Sequence, residues 1–207
     1  MADQVTAANG EVLAIPADVA QASACEQVAQ QALSTWGRID MLVANAGVQI
    51  GGSLLEAAEE DWERILAVNL RGVAYCCKAV IPAMLQRGSG SIVVVSSVNA
   101  LVGSPGMAIY DMSKAGVLAL MRSLATEYGL RGIRANAVCP GNTLTDFHIE
   151  KMARKGVSIE QIRAMTSGYG LLGRIAEPDE IANAIYFLAS EQAVSYTHLT
   201  LPTSDLV

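Results

Sequence analysis

The chain has 207 residues, 52% of them hydrophobic and 16% charged, which supports one domain with a well-buried core. A formal net charge of −6 and a pI of about 4.9, with no basic patch, exclude nucleic acid as the default partner. Low aromatic content (5%) beside abundant Gly and Ala favours closely packed helices and strands over an aromatic-rich all-β core. The cysteines Cys25, Cys76, Cys77 and Cys139 form no CxxC pair, and His148 and His198 stand at no metal-ligand spacing from them. The expectation is no metal, no disulfide framework and a reduced, cytoplasmic setting. The opening residues do not read as a signal peptide, and no uninterrupted apolar stretch approaches a membrane span, so no membrane association is expected.

In chain order, Val12–Ile15 is a short apolar run that predicts a strand. Ser23 and Glu26 have the spacing of a capping box, followed by Val28, Ala29, Ala32, Leu33 and Trp36 at helical spacing and Gly37 as a closing residue. Residues 39–44 predict the next strand, ending in Asn45-Ala46-Gly47. A helical region is expected over roughly 54–85, broken around Val68, and adjacent Cys76 and Cys77 should point in different directions. Residues 91–97 contain the β-branched run Ile92–Val95, which suits a strand covered on both sides of a parallel sheet. A helix is expected over 110–128, a strand over 133–139 stopped by Pro140-Gly141, and a last helix over 178–189 with Pro178 near its start. Residues from 142 to about 172 mix short helical stretches and glycines like a lid. Strands alternating with helices predict an open α/β domain with right-handed crossovers and no internal repeat.

The sharpest local signal is Tyr110-Asp111-Met112-Ser113-Lys114. Tyr110 and Lys114 are four apart near a helix start and share a face. An ammonium close to the phenol, together with the helix N-terminus, favours phenolate and predicts a lowered tyrosine pKa. Such a tyrosine can exchange a proton with a hydroxyl or carbonyl oxygen. Ser96-Ser97, Asn45-Ala46-Gly47 and Pro140-Gly141 each end a predicted strand, and ligands of open α/β sheets bind beyond the carboxyl ends of strands. Each signal alone has an ordinary reading: a helix surface pair, a cap serine, a tight turn.

Together these residues resemble the short-chain dehydrogenase/reductase family, over roughly residues 10–192. Ser97 stands thirteen residues before Tyr110, the family's usual serine–tyrosine spacing, and Lys114 completes the set. Asn45-Ala46-Gly47 is similar to the element that stabilises the family's central sheet, and Asp18-Val19 to the pair flanking the cofactor's adenine. Asn69 matches the helix asparagine that supports an active-site water. Pro140-Gly141 with Thr143 and Thr145 resembles the segment along the nicotinamide and phosphates. Asp18, Thr143 and Thr145 also read as turn or cap residues, Asn69 as a helix interruption, and Asp111 as a first-turn acid suited to the helix dipole. The resemblance implies a Rossmann-like, doubly wound parallel sheet over residues 1–193, with NAD or NADP as cofactor and a small alcohol or ketone as substrate.

By the same resemblance, Tyr110 exchanges a proton with the reacting oxygen and Ser97 hydrogen-bonds it. Lys114 holds the nicotinamide ribose and lowers the tyrosine pKa, and Asn69 positions a water. A homodimer or homotetramer is implied through the helices of Asn69 and Tyr110. The lid carries Phe147, Met152, Met165 and Tyr169 as well as Lys151, Arg154 and Lys155, so substrate identity stays open.

Two features depart from the family pattern. Its Gly-x-x-x-Gly-x-Gly turn is not among these residues, which predicts an N-terminally truncated fragment of an active parent enzyme. Residues 194–207 resemble translated sequencing-adapter read-through and are expected to be a non-native tail. A non-catalytic scaffold and a family dehydratase or isomerase are the rival readings.

Overall fold

The computed structural model describes residues 2–164 and 173–202. The lid residues Met165 and Tyr169, the side chains of Phe147 and Lys151, and residues 203–207 lie outside the described set. The chain opens with a short helix, α1 (Ala2–Ala7), that buries none of its residues and carries no signal we read in the sequence. Residues 11–18, including the predicted strand Val12–Ile15, form no ladder. Val12 and Leu13 are 44% and 38% exposed. An apolar run supplies strand propensity, but a strand exists only through a neighbour's N–H and C=O groups, and no described strand lies beside this one.

Helix α2 (Ala22–Trp36) closes as predicted, with Gly37 in the left-handed region (φ 72°) and its N–H on the Leu33 carbonyl. Its start differs from expectation. The cap is Gln21, without a side-chain bond, so Ser23 is already inside the first turn and the Ser23–Glu26 capping box does not form. Strand β1 (Met41–Ala44) follows. The predicted broken helix is instead continuous: α3 (Glu59–Leu66), a π-helical turn (Ala67–Gly72) and α4 (Val73–Arg87). It begins at Glu59 rather than near Leu54, with Glu59, Glu60 and Asp61 in the first turn, where acids suit the helix dipole. The widened turn absorbs the irregularity around Val68 without breaking the axis. The resulting 29-residue helix is long and apolar enough, by length and composition, to cross a membrane, though Arg71 and Lys78 interrupt its apolar run. Here its Ile65, Val73, Cys77, Val80, Ile81 and Met84 are buried.

Strand β2 (Gly90–Val95), helix α5 (Ala108–Tyr128) and strand β3 (Ile133–Cys139) come next. Two short helices, α6 (Asp146–Ala153) and α7 (Ile159–Ala164), occupy the lid region, and α8 (Pro178–Ala189) matches its predicted bounds. Its cap is a Glu177–Glu180 capping box that we did not anticipate. Strand β4 (Thr200–Pro202) completes, among the described residues, a four-stranded parallel sheet in the order β1-β2-β3-β4.

The sheet is covered on both faces, as the β-branched run predicted. Ile92, Val94, Ala135 and Ala137 pack with α4 and α5, while the alternate residues Val93 and Val138 pack with α8. This is the α/β arrangement of a Rossmann-like fold. Cys77 enters the core, whereas Cys76 turns towards α2 and lies 3.6 Å, sulfur to sulfur, from free Cys25.

Of the residues set apart as a tail, Tyr196, His198 and Leu199 bond to β3 through their main chain. His198 donates to the Ala135 carbonyl, Leu199 accepts from Ala137, and the side chains of Arg134 and Asn136 both reach the Tyr196 carbonyl. A backbone ladder is indifferent to side-chain identity, so the open edge of β3 accepts an extended segment whatever its composition.

Where β3 begins, Gly132 (φ 82°) faces the turn that ends α4, and a Cβ there would stand 2.1 Å from the Gly88 carbonyl oxygen. Gly132→Ala is expected to lower stability by roughly 2–4 kcal/mol, through a forbidden φ and a backbone clash. Gly129→Ala, in helical geometry with nothing near its Cβ, should be neutral or stabilising by about 0.5–1 kcal/mol. Urea midpoints of the two variants check this; equal shifts would contradict it.

Candidate active site at the carboxyl edge of the sheet

Parallel pairing places the carboxyl ends of β1, β2 and β3 on one edge, with Ala44 beside Val94 and Val95 beside Val138. The three segments singled out in the sequence therefore emerge together: Asn45-Ala46-Gly47, Ser96-Ser97 and Pro140-Gly141. This is the edge where open α/β sheets bind ligands.

Alternation after Val95 gives the two serines different tasks. Buried Ser96 continues the ladder, its N–H on the Val138 carbonyl (2.8 Å), and donates its hydroxyl to the Lys114 carbonyl (2.8 Å). Ser97 is also buried and caps the 3₁₀ turn Val98–Ala100 by accepting from the Asn99 N–H at 3.2 Å. Its hydroxyl lies near enough to the Tyr110 phenol to pull the phenol's pKa down.

Lys114 is only 4% exposed, and its ammonium donates to the Val95 carbonyl at 2.9 Å, 5.9 Å from the centre of the Tyr110 ring. Burial disfavours the charge and lowers its pKa to about 8, with Cys139 opposing weakly. Burial also raises the Tyr110 pKa; Ser97 pulls it down, and the neighbouring Asp111 carboxylate pushes it up. The predicted lowering by Lys114 is therefore not found. Desolvation outweighs the pull of Ser97, and the ammonium is turned to a main-chain carbonyl.

Asn69 comes from the π-helical turn and is completely buried. It accepts from the Val48 N–H (2.8 Å) and donates to the Val48 carbonyl (2.9 Å) and the Ser113 hydroxyl (3.1 Å). Ser113 in turn donates to the Tyr110 carbonyl at 2.7 Å. One amide thus pins the segment after Gly47 to the first turn of α5. A Cβ on Gly47 would stand 3.4 Å from the Lys114 nitrogen and 3.5 Å from Asn69 Oδ1, so glycine leaves open space beside the ammonium.

Asn69, Ser97, Tyr110, Lys114 and Gly47 are accordingly brought together, with Asn45 and Ala46 exposed next to them and Pro140 and Gly141 half-buried at the end of β3. The remaining candidates are engaged elsewhere. Thr143 bridges to Ala176 and donates to the Gly141 carbonyl, and Thr145 caps α6 by accepting from the His148 N–H. Exposed Asp18 accepts the Ala20 N–H in a turn. Val19 packs against Gly72, where a Cβ would stand 3.0 Å from its side chain. No described hydrogen bond joins Asp18 or Val19 to the Tyr110–Lys114 cluster. Sequence reasoning missed the roles of Ser113 and Val48, and read Ser96 only together with Ser97 as a strand end. Ser113 was legible in principle, since it stands three residues from Tyr110 on the same helix face.

The donors present suit a nicotinamide dinucleotide. Lys114 has three protons and uses one on Val95, which leaves two for ribose hydroxyls.

The sequence pattern of the family described as Enoyl-(Acyl carrier protein) reductase matches residues 1–202. A 3-oxoacyl-[acyl-carrier-protein] reductase of Synechocystis is 37% identical over 193 residues, covering 93% of this chain and 74% of that enzyme. An L-rhamnose 1-dehydrogenase (NAD(P)(+)) of Azotobacter vinelandii is 37% identical over 202 residues, covering 97% of this chain and 77% of that enzyme. The crystal structure of a short-chain dehydrogenase/reductase from Burkholderia xenovorans superposes with a TM-score of 0.91 at 29% identity, covering 98% of this chain and 77% of that one.

The buried ammonium has a pH signature. Lys114 titrates at about 8 in the fold against 10.5 for an ordinary lysine, so between these values the unfolded chain binds more protons. Stability then rises with pH; the contribution is complete above 10.5 and lost as pH falls through about 8. Relative to Lys114→Met, the wild type should gain on the order of 3 kcal/mol across this window. Parallel stability curves for the two proteins in urea titrations would count against a buried ammonium.

Proposed function

As a member of the short-chain dehydrogenase/reductase family, the chain is an NAD(P)-dependent oxidoreductase of secondary alcohols and ketones, and we propose that Ser97, Tyr110, Lys114 and Asn69 carry its chemistry. The observation that carries this reading is the convergence of buried Ser97 and Lys114 with half-buried Tyr110 at the carboxyl edge of the sheet. When bound, NAD or NADP supplies or accepts the hydride.

The protein's part is proton transfer and orientation. Tyr110, its pKa raised by burial, keeps its proton near neutral pH and is poised to give it to a carbonyl oxygen. Ser97 donates a hydrogen bond to the same oxygen. Lys114 holds the nicotinamide ribose hydroxyls with the protons not used on Val95. Asn69 fixes Val48 and Ser113, and its Oδ1 keeps a second lone pair for a water on the proton path. By the family resemblance, Asn45, Ala46, Gly47, Pro140, Gly141, Thr143 and Thr145 would line the cofactor, and Asp18 and Val19 would flank its adenine. No residue here is assigned to the pyrophosphate. We further read the protein as cytoplasmic and homo-oligomeric, as a dimer or tetramer through α4 and α5.

Reduction of a 3-oxoacyl thioester and oxidation of an aldose, each followed by nicotinamide absorbance, test the reading. Tyr110→Phe should lower kcat by about 10²–10⁴-fold with dinucleotide affinity within a few-fold of wild type, since it removes only the transferable proton. Lys114→Met should weaken dinucleotide binding as well. A Tyr110→Phe protein retaining more than about a tenth of wild-type kcat would remove the tyrosine from its role.

A further inference from the structure

Between Ser97 and Tyr110 the chain makes a loop, residues 98–107, that carries one end of the site to the other. The loop is weakly anchored by apolar packing: Leu101 and Val102 are 42% and 36% exposed. Internal main-chain bonds shape it, with Leu101 and Val102 both donating to the Val98 carbonyl and Met107 donating to that of Ser104. The two described side-chain bonds that fasten it to α5 both end on Asp111. The Asn99 side-chain N–H reaches Oδ1 at 2.8 Å and the Ser104 backbone N–H reaches Oδ2 at 2.9 Å. Asn99 is also the residue whose N–H is capped by Ser97. The path from the Asp111 carboxylate to the Ser97 hydroxyl is therefore one side chain and one backbone unit, and Tyr110 is the residue next to Asp111.

We propose that Asp111 is a positioning residue for the hydride-transfer site: its two carboxylate oxygens clamp loop 98–107 onto α5 and so hold the Ser97 hydroxyl in register with the Tyr110 phenol. This rests on the assignment of Ser97 and Tyr110 above. The clamp is a matter of hydrogen-bond acceptors, not of charge. That separates it from the plain alternative for an acid in a first helical turn, favourable interaction with the helix dipole. A carboxylate offers acceptors on both oxygens, which matches two converging donors. An asparagine at 111 can still accept the Ser104 N–H and donate to Asn99, provided the Asn99 amide turns over to present its oxygen. The neutral isostere therefore keeps both bonds, whereas alanine or leucine keeps neither.

The experiment compares Asp111→Ala, Asp111→Leu and Asp111→Asn by amide hydrogen exchange and by steady-state reduction of a 3-oxoacyl thioester with NAD(P)H. Exchange of the Ser104 amide needs no turnover. It should accelerate at least about tenfold in the alanine and leucine variants and stay within about threefold of wild type in Asp111→Asn, with the α5 amides from Val117 onward unchanged in all. In the kinetic arm, kcat should fall about tenfold or more for alanine and leucine, dinucleotide KM should stay within about twofold, and Asp111→Asn should restore kcat. An unchanged Ser104 amide in Asp111→Ala overturns the clamp. Equal losses in the asparagine and alanine variants replace it with a charge effect. Failure of the underlying assignment is distinguishable: a fully active Tyr110→Phe protein sinks the assignment and leaves the exchange result standing.

Discussion

The site is organised by one costly requirement, the burial of the Lys114 ammonium at the edge of an apolar sheet. Desolvating such a charge costs several kcal/mol unless acceptors replace water. The acceptor provided is the Val95 carbonyl, one strand position before Ser96, where the end of β2 leaves a main-chain oxygen available. The position of α5 follows from the same region, because the Ser96 hydroxyl bonds the Lys114 carbonyl and fixes the helix from the other side. Gly47 completes the arrangement by what it lacks. Lacking a side chain, it lets the backbone after β1 pass beside the ammonium and Asn69, where a Cβ would already be in van der Waals contact with both.

From that centre the constraint spreads to distant parts of the chain. Asn69 stands in a helix whose regular geometry gives way to a π-turn over Ala67–Gly72. Single π-turns inside α-helices are uncommon and recur at functional sites, because they re-aim a side chain without ending the helix. The re-aimed amide serves three polar groups at once, two on Val48 and one on Ser113. The close passage of Val19 over Gly72 uses the same turn from outside, which relates the α2 side of the fold to the site through packing rather than hydrogen bonds.

Much of this was legible in the sequence, and the exceptions share a physical cause. The run Ile92–Val95, the segment Ile133–Cys139 and the helix Pro178–Ala189 were readable because periodicity and punctuation agree at those places. Ser97, Tyr110 and Lys114 were readable because their spacing is fixed by one strand end and one helix face. Val12–Ile15 misled because strand propensity is local while a ladder requires a partner. Ser23 misled because a capping box depends on which residue leaves helical geometry first, and that proved to be Gln21. β4 was hidden for the opposite reason: its bonds are main-chain bonds to β3, and no side-chain pattern announces them.

The Tyr110 pKa is the most instructive departure. Counting charges along the helix places a cation four residues away and predicts an acidified phenol. The fold places both groups in a poorly solvated corner, where desolvation acts on each separately. It lifts the phenol and depresses the ammonium, so the two protonation states move in opposite senses with little direct exchange between them. Around neutral pH this favours a protonated tyrosine, the form that gives a proton to a carbonyl. An oxidation would need that preference reversed by whatever fills the space beside Lys114. A cationic nicotinamide near the phenol would act in that sense, and a neutral reduced one would not. The burial that makes Lys114 costly to keep charged is thus the same burial that holds the proton on Tyr110.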